Sequence, residues 1–88
     1  MVTRTVSVVN PLGLHARAAA RFVRLAAQFS STIRVAKGAR ELDGKSILGL
    51  LLLGASRGSA IVIRAEGPDE VVAADALGKL VADGFEDA

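Results

Sequence analysis

Turn-forming residues cut this chain into short segments whose apolar period switches back and forth between two and 3.6, and no other feature restricts its fold as strongly. Arg4 to Val9 alternates as a strand does and is broken by Asn10-Pro11-Leu12-Gly13. From about Ala16 to Phe29 the apolar positions Ala19, Phe22, Val23, Ala26 and Phe29 recur at intervals of three and four, the buried stripe of a helix. Arg17, Arg21, Arg24 and Gln28 share the opposite side. Thr32 to Lys37 and Arg40 to Asp43 flank Gly38-Ala39 as a hairpin, closed by Asp43-Gly44. Ser46 to Leu53 fits a short helix with Ser46 as its N-cap and Gly54 as the left-handed residue past its end. Ser59 to Ala65 is β-branched enough for a last strand. Gly67-Pro68-Asp69 then stops the strand and starts a helix from Glu70 to Phe85, with Val72, Ala73, Ala76, Leu77, Leu80 and Val81 repeating helically. The carboxylates of Asp69 and Glu70 suit the positive end of that helix.

The predicted order is β-α-β-β-α-β-α. Strands this short, interleaved with helices, are accommodated by an α+β open-faced sandwich in which a small four-stranded antiparallel sheet carries three helices on one face. At 88 residues, 51% of them hydrophobic, residues 1–88 are expected to form a single domain, too short for two cores and too apolar for disorder. With three Phe, no Trp and no Tyr, the core has to be aliphatic. The absence of Cys excludes thiolate metal sites and cysteine nucleophiles, and one His argues against a zinc site, so no metal is expected. Ile47 to Leu53 is far shorter than the roughly 20 apolar residues of a membrane span, and the opening Met1-Val2-Thr3-Arg4 has no signal-peptide pattern. A cytoplasmic protein without membrane insertion is the expectation.

Charge is unevenly distributed. Residues 1–64 hold ten of the eleven Lys and Arg against only Glu41 and Asp43, whereas residues 65–88 hold Lys79 against seven acids. A basic face of this kind suits acidic proteins, phosphates or nucleic acid.

His15 stands where the turn formers give way to the alanine-rich helix. An unprotonated imidazole is a nucleophile, and the free N–H groups and dipole of a helix start hold anions, phosphate above all. Most lone histidines at such a place only cap a helix or fill a turn. Here Gly13 lets the chain turn tightly so that the ring stands clear, and Arg17, two residues into the helix, is within reach of an anion on the ring.

Gly13-Leu14-His15-Ala16-Arg17-Ala18-Ala19 closely resembles the active-site signature of HPr, the histidine phosphocarrier family of the phosphoenolpyruvate-dependent phosphotransferase system. Asn10 lies at the family's distance before the histidine, and Asp43-Gly44-Lys45-Ser46-Ile47-Leu48-Gly49 resembles its second signature, around a regulatory serine. The resemblance extends over the whole chain and implies a phosphocarrier rather than an enzyme. His15 would take a phosphoryl group on Nδ1 from enzyme I of that system and pass it to a IIA-type acceptor domain, while Arg17 stabilises the charge. It also implies that Ser46, a good N-cap on any account, is the target of a dedicated ATP-dependent serine kinase, whose product weakens transfer at the histidine. Ala18 departs from the commonest pattern, which has proline there; alanine is the best helix former and restores a backbone N–H, so the chemistry is expected to survive. Ala18-Ala19-Ala20 and the acidic Gly84-Phe85-Glu86-Asp87 are similar to the nitrogen-regulatory branch, which leaves sugar uptake and nitrogen or carbon regulation both open.

Ile47 to Leu53 is apolar all round, yet a two-turn helix on a sheet buries one side only. With Leu50 and Leu53 inward, Ile47, Leu48 and Leu51 are left as a surface patch, and such patches mark partner sites. Ala16, Ala20, Arg17, Arg21 and Arg24 beside them complete a small apolar centre with a basic rim, suited to acidic partners. The expected carrier works as a monomer.

Gly44-Lys45-Ser46 resembles the end of a Walker A loop, but Ala39 stands where that loop needs glycine, and nucleotide binding is rejected. Nucleic acid is rejected as a partner because the three Phe fall at helical positions that look buried or terminal, leaving no exposed stacking platform. A hydrolase built on His15 lacks a second histidine or a nearby carboxylate. The remaining alternative is a regulatory binding module of the same fold that acts through Ser46 without phosphotransfer.

Overall fold

The computed structural model describes residues 1–87, the Asp87 side chain apart. Four strands, β1 (Val2–Ser7), β2 (Thr32–Lys37), β3 (Arg40–Asp43) and β4 (Ala60–Glu66), form one antiparallel sheet in the order β1-β4-β2-β3. Helices α1 (Ala16–Ala26), α2 (Ile47–Leu53) and α3 (Glu70–Ala82) lie on one face of it, the open-faced sandwich expected from the element order. Central β4 places Ile61 opposite Val6 and Ala65 opposite Ile33. Its alternation, with Ile61, Ile63 and Ala65 buried and Arg64 on the other side, directs one face to the core. The core is aliphatic apart from Phe22 and Phe85.

Pairing, not local pattern, decides where the elements end. The first strand runs over Val2–Ser7 instead of Arg4 to Val9, because its partner spans Ala60–Glu66 and Ser7 meets Ala60. Val8 stays in the core but bonds to the loop just before β4: its N–H donates to the Ser59 carbonyl at 2.8 Å. Helix α1 stops at Ala26, three residues early. Its last turn tightens, with Gln28 N–H donating to Leu25 O and Phe29 N–H to Ala26 O, and the Lys45 ammonium reaches the Phe29 carbonyl at 2.7 Å.

The largest correction is at the end of the chain. Instead of continuing to Phe85, α3 closes at Ala82 and Gly84–Asp87 forms a separate turn, with Gly84, Phe85 and Glu86 all left-handed. The reversal drives Phe85 fully into the core, and the Arg21 guanidinium holds it there by donating to the carbonyls of Phe85 and Glu86, each at 2.6 Å. Within α3 the buried side is Ala73, Ala74, Leu77, Gly78, Leu80 and Val81; Val72 faces solvent, contrary to expectation. The helix meets the sheet through small residues, and a Cβ on Gly78 would lie 3.6 Å from Val6.

Asp69 does not cap α3 with its side chain. Its carboxylate instead accepts from the Ser31 hydroxyl and from the N–H groups of Ser30 and Ser31, pinning the α1–β2 connection to the start of α3. The Ser31 hydroxyl first, and then the Ser30 N–H, hold its carboxyl below the usual carboxylate range. A carboxyl held low in the folded state stabilises the fold above its unfolded value and loses that contribution as the pH falls through the folded one. Thermal unfolding followed from neutral to acid pH should therefore show the midpoint dropping in the acid limb, and Asp69→Asn should flatten that drop. An unaltered slope in the variant would remove Asp69 from the account.

Candidate functional site

The turn that carries His15 is built from its neighbours. Gly13 is left-handed (φ +66°), its N–H donates to the Asn10 carbonyl, and its own carbonyl accepts from the His15 N–H at 2.9 Å and from the buried Asn10 side-chain amide at 2.6 Å. Leu14 is buried and donates its N–H to the Ala55 carbonyl. The segment before the helix is thus held from below by Leu14 and from within by Asn10.

His15 is the N-cap of α1. Its extended backbone lets its carbonyl accept the first helical bond, from Ala19 N–H, while Nδ1 accepts from the Arg17 N–H at 3.2 Å. The ring is half-buried, and Nε2 is enclosed without a hydrogen-bond partner among the described residues. Nδ1 is therefore the ring nitrogen that faces the helix start, with its lone pair at the place where an anion would sit. Ala18, in the proline position of the resemblance, is fully buried against the core.

Ser46 caps α2 as the spacing predicts: its hydroxyl accepts from Gly49 N–H at 3.0 Å, and Gly54 ends the helix in the left-handed conformation. Leu50 and Leu53 point into the core, and Ile47, Leu48 and Leu51 are exposed. Leu52 joins them at 56% exposed and belongs to the same surface; as the residue four after Leu48 it was within reach of the helical spacing. Leu12, 74% exposed in the turn before His15, is a further apolar surface residue to which the sequence reading assigned no role. Helices α1 and α2 pack against each other, so this surface belongs to the same layer as the helix that His15 caps.

The basic rim is narrower than the composition implies. Lys37 and Arg40 cap the end of α2 through the carbonyls of Gly54 and Leu52, Lys45 caps α1, and Arg21 holds the C-terminal turn. Arg4 pairs with Asp75, Arg34 and Arg64 with Glu41, and Lys79 with Asp83. Arg21 thus spends part of its guanidinium within the chain, which narrows the charge it could add to a docking rim. Only Arg17, Arg24 and Arg57 of the eleven cations keep a guanidinium without a partner among the described residues. Ala16, Arg17 and Arg24 are exposed, and Ala20 is half-buried. A cleft of about 310 Å³ lined by Arg21, Arg24, Leu25, Gln28, Leu80 and Glu86 involves neither His15 nor Ser46.

Fold and site together define a small open-faced sandwich that presents one histidine nitrogen at a helix start, with an apolar surface and unpaired cations also exposed. The chain belongs to the HPr family of the phosphotransferase system: the family model described as PTS HPr component phosphorylation site matches residues 2–83. It is 42% identical over 85 residues to the phosphocarrier protein HPr of Cupriavidus necator, covering 97% of this chain and 96% of that one. It is 41% identical over 81 residues to the HPr of Neisseria meningitidis, covering 92% and 91%. The crystal structure of HPr-C-His from Thermoanaerobacter tengcongensis superposes with a TM-score of 0.95 at 42% identity, over 100% of this chain and 99% of that one.

Proposed function

We propose that residues 1–88 act as one HPr-like phosphocarrier domain, cytoplasmic and monomeric. The domain takes a phosphoryl group on His15 from phosphorylated enzyme I, originating in phosphoenolpyruvate, and passes it to a IIA-type acceptor domain in sugar uptake or in nitrogen and carbon regulation. The observation that carries this reading is Nδ1 at the start of α1, with Nε2 enclosed. The Nδ1 lone pair attacks phosphorus as the bond to the donor breaks and its electron pair leaves with the donor. The Arg17 N–H that now donates to Nδ1 passes to a phosphoryl oxygen, and the free Arg17 guanidinium adds charge compensation. A carrier needs the helix start to hold the phosphate firmly enough to trap it and weakly enough to release it. No cofactor enters the reaction, and neither nucleic acid nor membrane insertion has a part in it.

Ile47, Leu48 and Leu51, with Leu52, dock the partners, flanked by Ala16, Ala20 and Arg24. Phosphorylation of Ser46 by a serine kinase would place a dianion at the edge of that apolar surface and repel acidic partners. That same capped serine supports the alternative, a regulatory module without phosphotransfer.

Intact-mass spectrometry after incubation with phosphoenolpyruvate and enzyme I, at neutral and then acid pH, separates the two. The carrier should gain one phosphoryl group that acid removes, and His15→Ala should gain none while keeping its fold. A folded protein that gains nothing from an active donor would leave the regulatory module as the reading.

A further inference from the structure

Arg57 sits far from the histidine in sequence and beside it in the fold. The connection from α2 to β4 is laced to the histidine turn on both flanks: Leu14 N–H donates to Ala55 O at 2.9 Å, Gly58 N–H to Val8 O at 2.7 Å, and Val8 N–H to Ser59 O at 2.8 Å. Within the connection, Ser59 N–H donates back to Ser56 O at 3.0 Å, which closes a tight turn with Arg57 at its tip. A Cβ placed on Gly13 would lie 3.4 Å from the Arg57 nitrogen, so the two backbones are in contact two residues before His15. The Arg57 side chain is exposed and its guanidinium has no partner among the described residues.

Eight of the chain's eleven cations are consumed by carbonyls or carboxylates of the protein itself. Two of the three that remain, Arg17 and Arg24, lie on α1. The third is held on a tight turn packed against the histidine loop. An unpaired guanidinium on an exposed turn needs no internal partner broken before it meets a carboxylate, and it attracts one over about a Debye length, roughly 8 Å in physiological salt.

We propose that Arg57 is a third docking cation of the phosphoryl-transfer surface and that it engages a carboxylate side chain of the phosphoryl donor protein. This rests on the carrier reading above. Arg57 adds a cation on the loop packed against the histidine turn, apart from those of α1, and its charge helps seat the donor over Nδ1. Its part is in association, so it touches neither the phosphoryl group nor the ring.

The test is the rate of phosphoryl transfer from enzyme I to the full chain, measured from low to high salt for the wild type, Arg57→Glu, and Lys79→Glu as a control of equal charge change on α3. Arg57→Glu should lower kcat/KM about tenfold at low ionic strength, chiefly through KM, and the deficit should shrink as salt screens the interaction. Lys79→Glu should stay within about twofold of the wild type. Thermal midpoints should show Arg57→Glu as stable as the wild type, because the side chain has no partner to lose. A rate for Arg57→Glu matching that of Lys79→Glu, or a deficit unchanged by salt, would overturn the proposal. Wild-type protein that accepts no phosphoryl group would instead fail the carrier reading on which it depends, an outcome visible before any variant is compared.

Discussion

Gly13→Ala should destabilise the protein by about 3 kcal/mol, the sum of two separate effects. The first is conformational: the backbone there has φ +66°, and an L-residue in the left-handed region costs roughly 1–2 kcal/mol. The second is steric. The new methyl would lie 2.6 Å from the Ala55 carbonyl oxygen and 3.0 Å from Ser56 Cα, both backbone atoms that have no rotamer by which to escape. That carbonyl accepts the Leu14 N–H at 2.9 Å, so a retreat large enough to admit the methyl weakens a bond at a buried residue, worth about 1–3 kcal/mol when such a group is left unpaired. For a domain of this size each kcal/mol moves the midpoint by roughly 4–8 °C, so a fall of about 12 °C or more is expected in a thermal melt. Gly38→Ala is the matched control, since Gly38 is also left-handed (φ +59°) but has open space around it, and should show the conformational cost alone. Equal falls for the two variants would mean that the approach of the two loops is not what requires glycine. Because the same contact seats the histidine turn on the α2–β4 connection, phosphoryl uptake by Gly13→Ala should also be slower than that of Gly38→Ala.

Helix α2 should divide cleanly into leucines that fold the protein and leucines that serve its partners. Leu50 is completely buried, and Leu50→Ala should cost about 2–5 kcal/mol, with the spread depending on how far the site collapses. Leu48 and Leu51 are 66% and 40% exposed, so the double variant Leu48→Ala/Leu51→Ala should change stability by about 1 kcal/mol at most. If the surface docks partners, the double variant should lose about tenfold or more in phosphoryl transfer, since a few well-packed residues at the centre of an interface carry most of its energy. Denaturant melts and transfer rates on the two proteins together decide the matter. A double variant that transfers at the wild-type rate would move docking away from α2, and one that melts as early as Leu50→Ala would make the exposed leucines part of the core.

Much of this architecture is legible in the sequence because its signals are local. Gly38-Ala39 between two alternating runs, Ser46 and Gly54 around six aliphatic residues and Gly49, and Gly13 before an alanine-rich stretch each prescribe their backbone within a few residues, and the fold realises all three. The division of α2 into Leu50 and Leu53 inside and Ile47, Leu48 and Leu51 outside follows from the helical period once one sheet face is covered. The place of His15 at a helix start is local in the same way, as is its neighbour Arg17 in the first turn.

What escaped depended on groups far apart in the chain. Val72 matches the helical period as well as Ala74 does, but the sheet sits against Ala74 and leaves Val72 in water. The Asp69 carboxylate suits a helix start, yet two N–H groups and a hydroxyl from Ser30 and Ser31 outbid that role. No local rule predicts three successive left-handed residues at Gly84, Phe85 and Glu86; burial of the Phe85 ring and the grip of Arg21 sixty-four positions away make them favourable. The sequence by itself determined the element order, the caps and the histidine at the head of α1, because turn chemistry and apolar period act between neighbours. The tertiary structure alone decided which cations remain free and which loop meets the histidine turn, because a charge is neutralised by whatever the fold brings within a few ångströms, and chain order does not contain that distance.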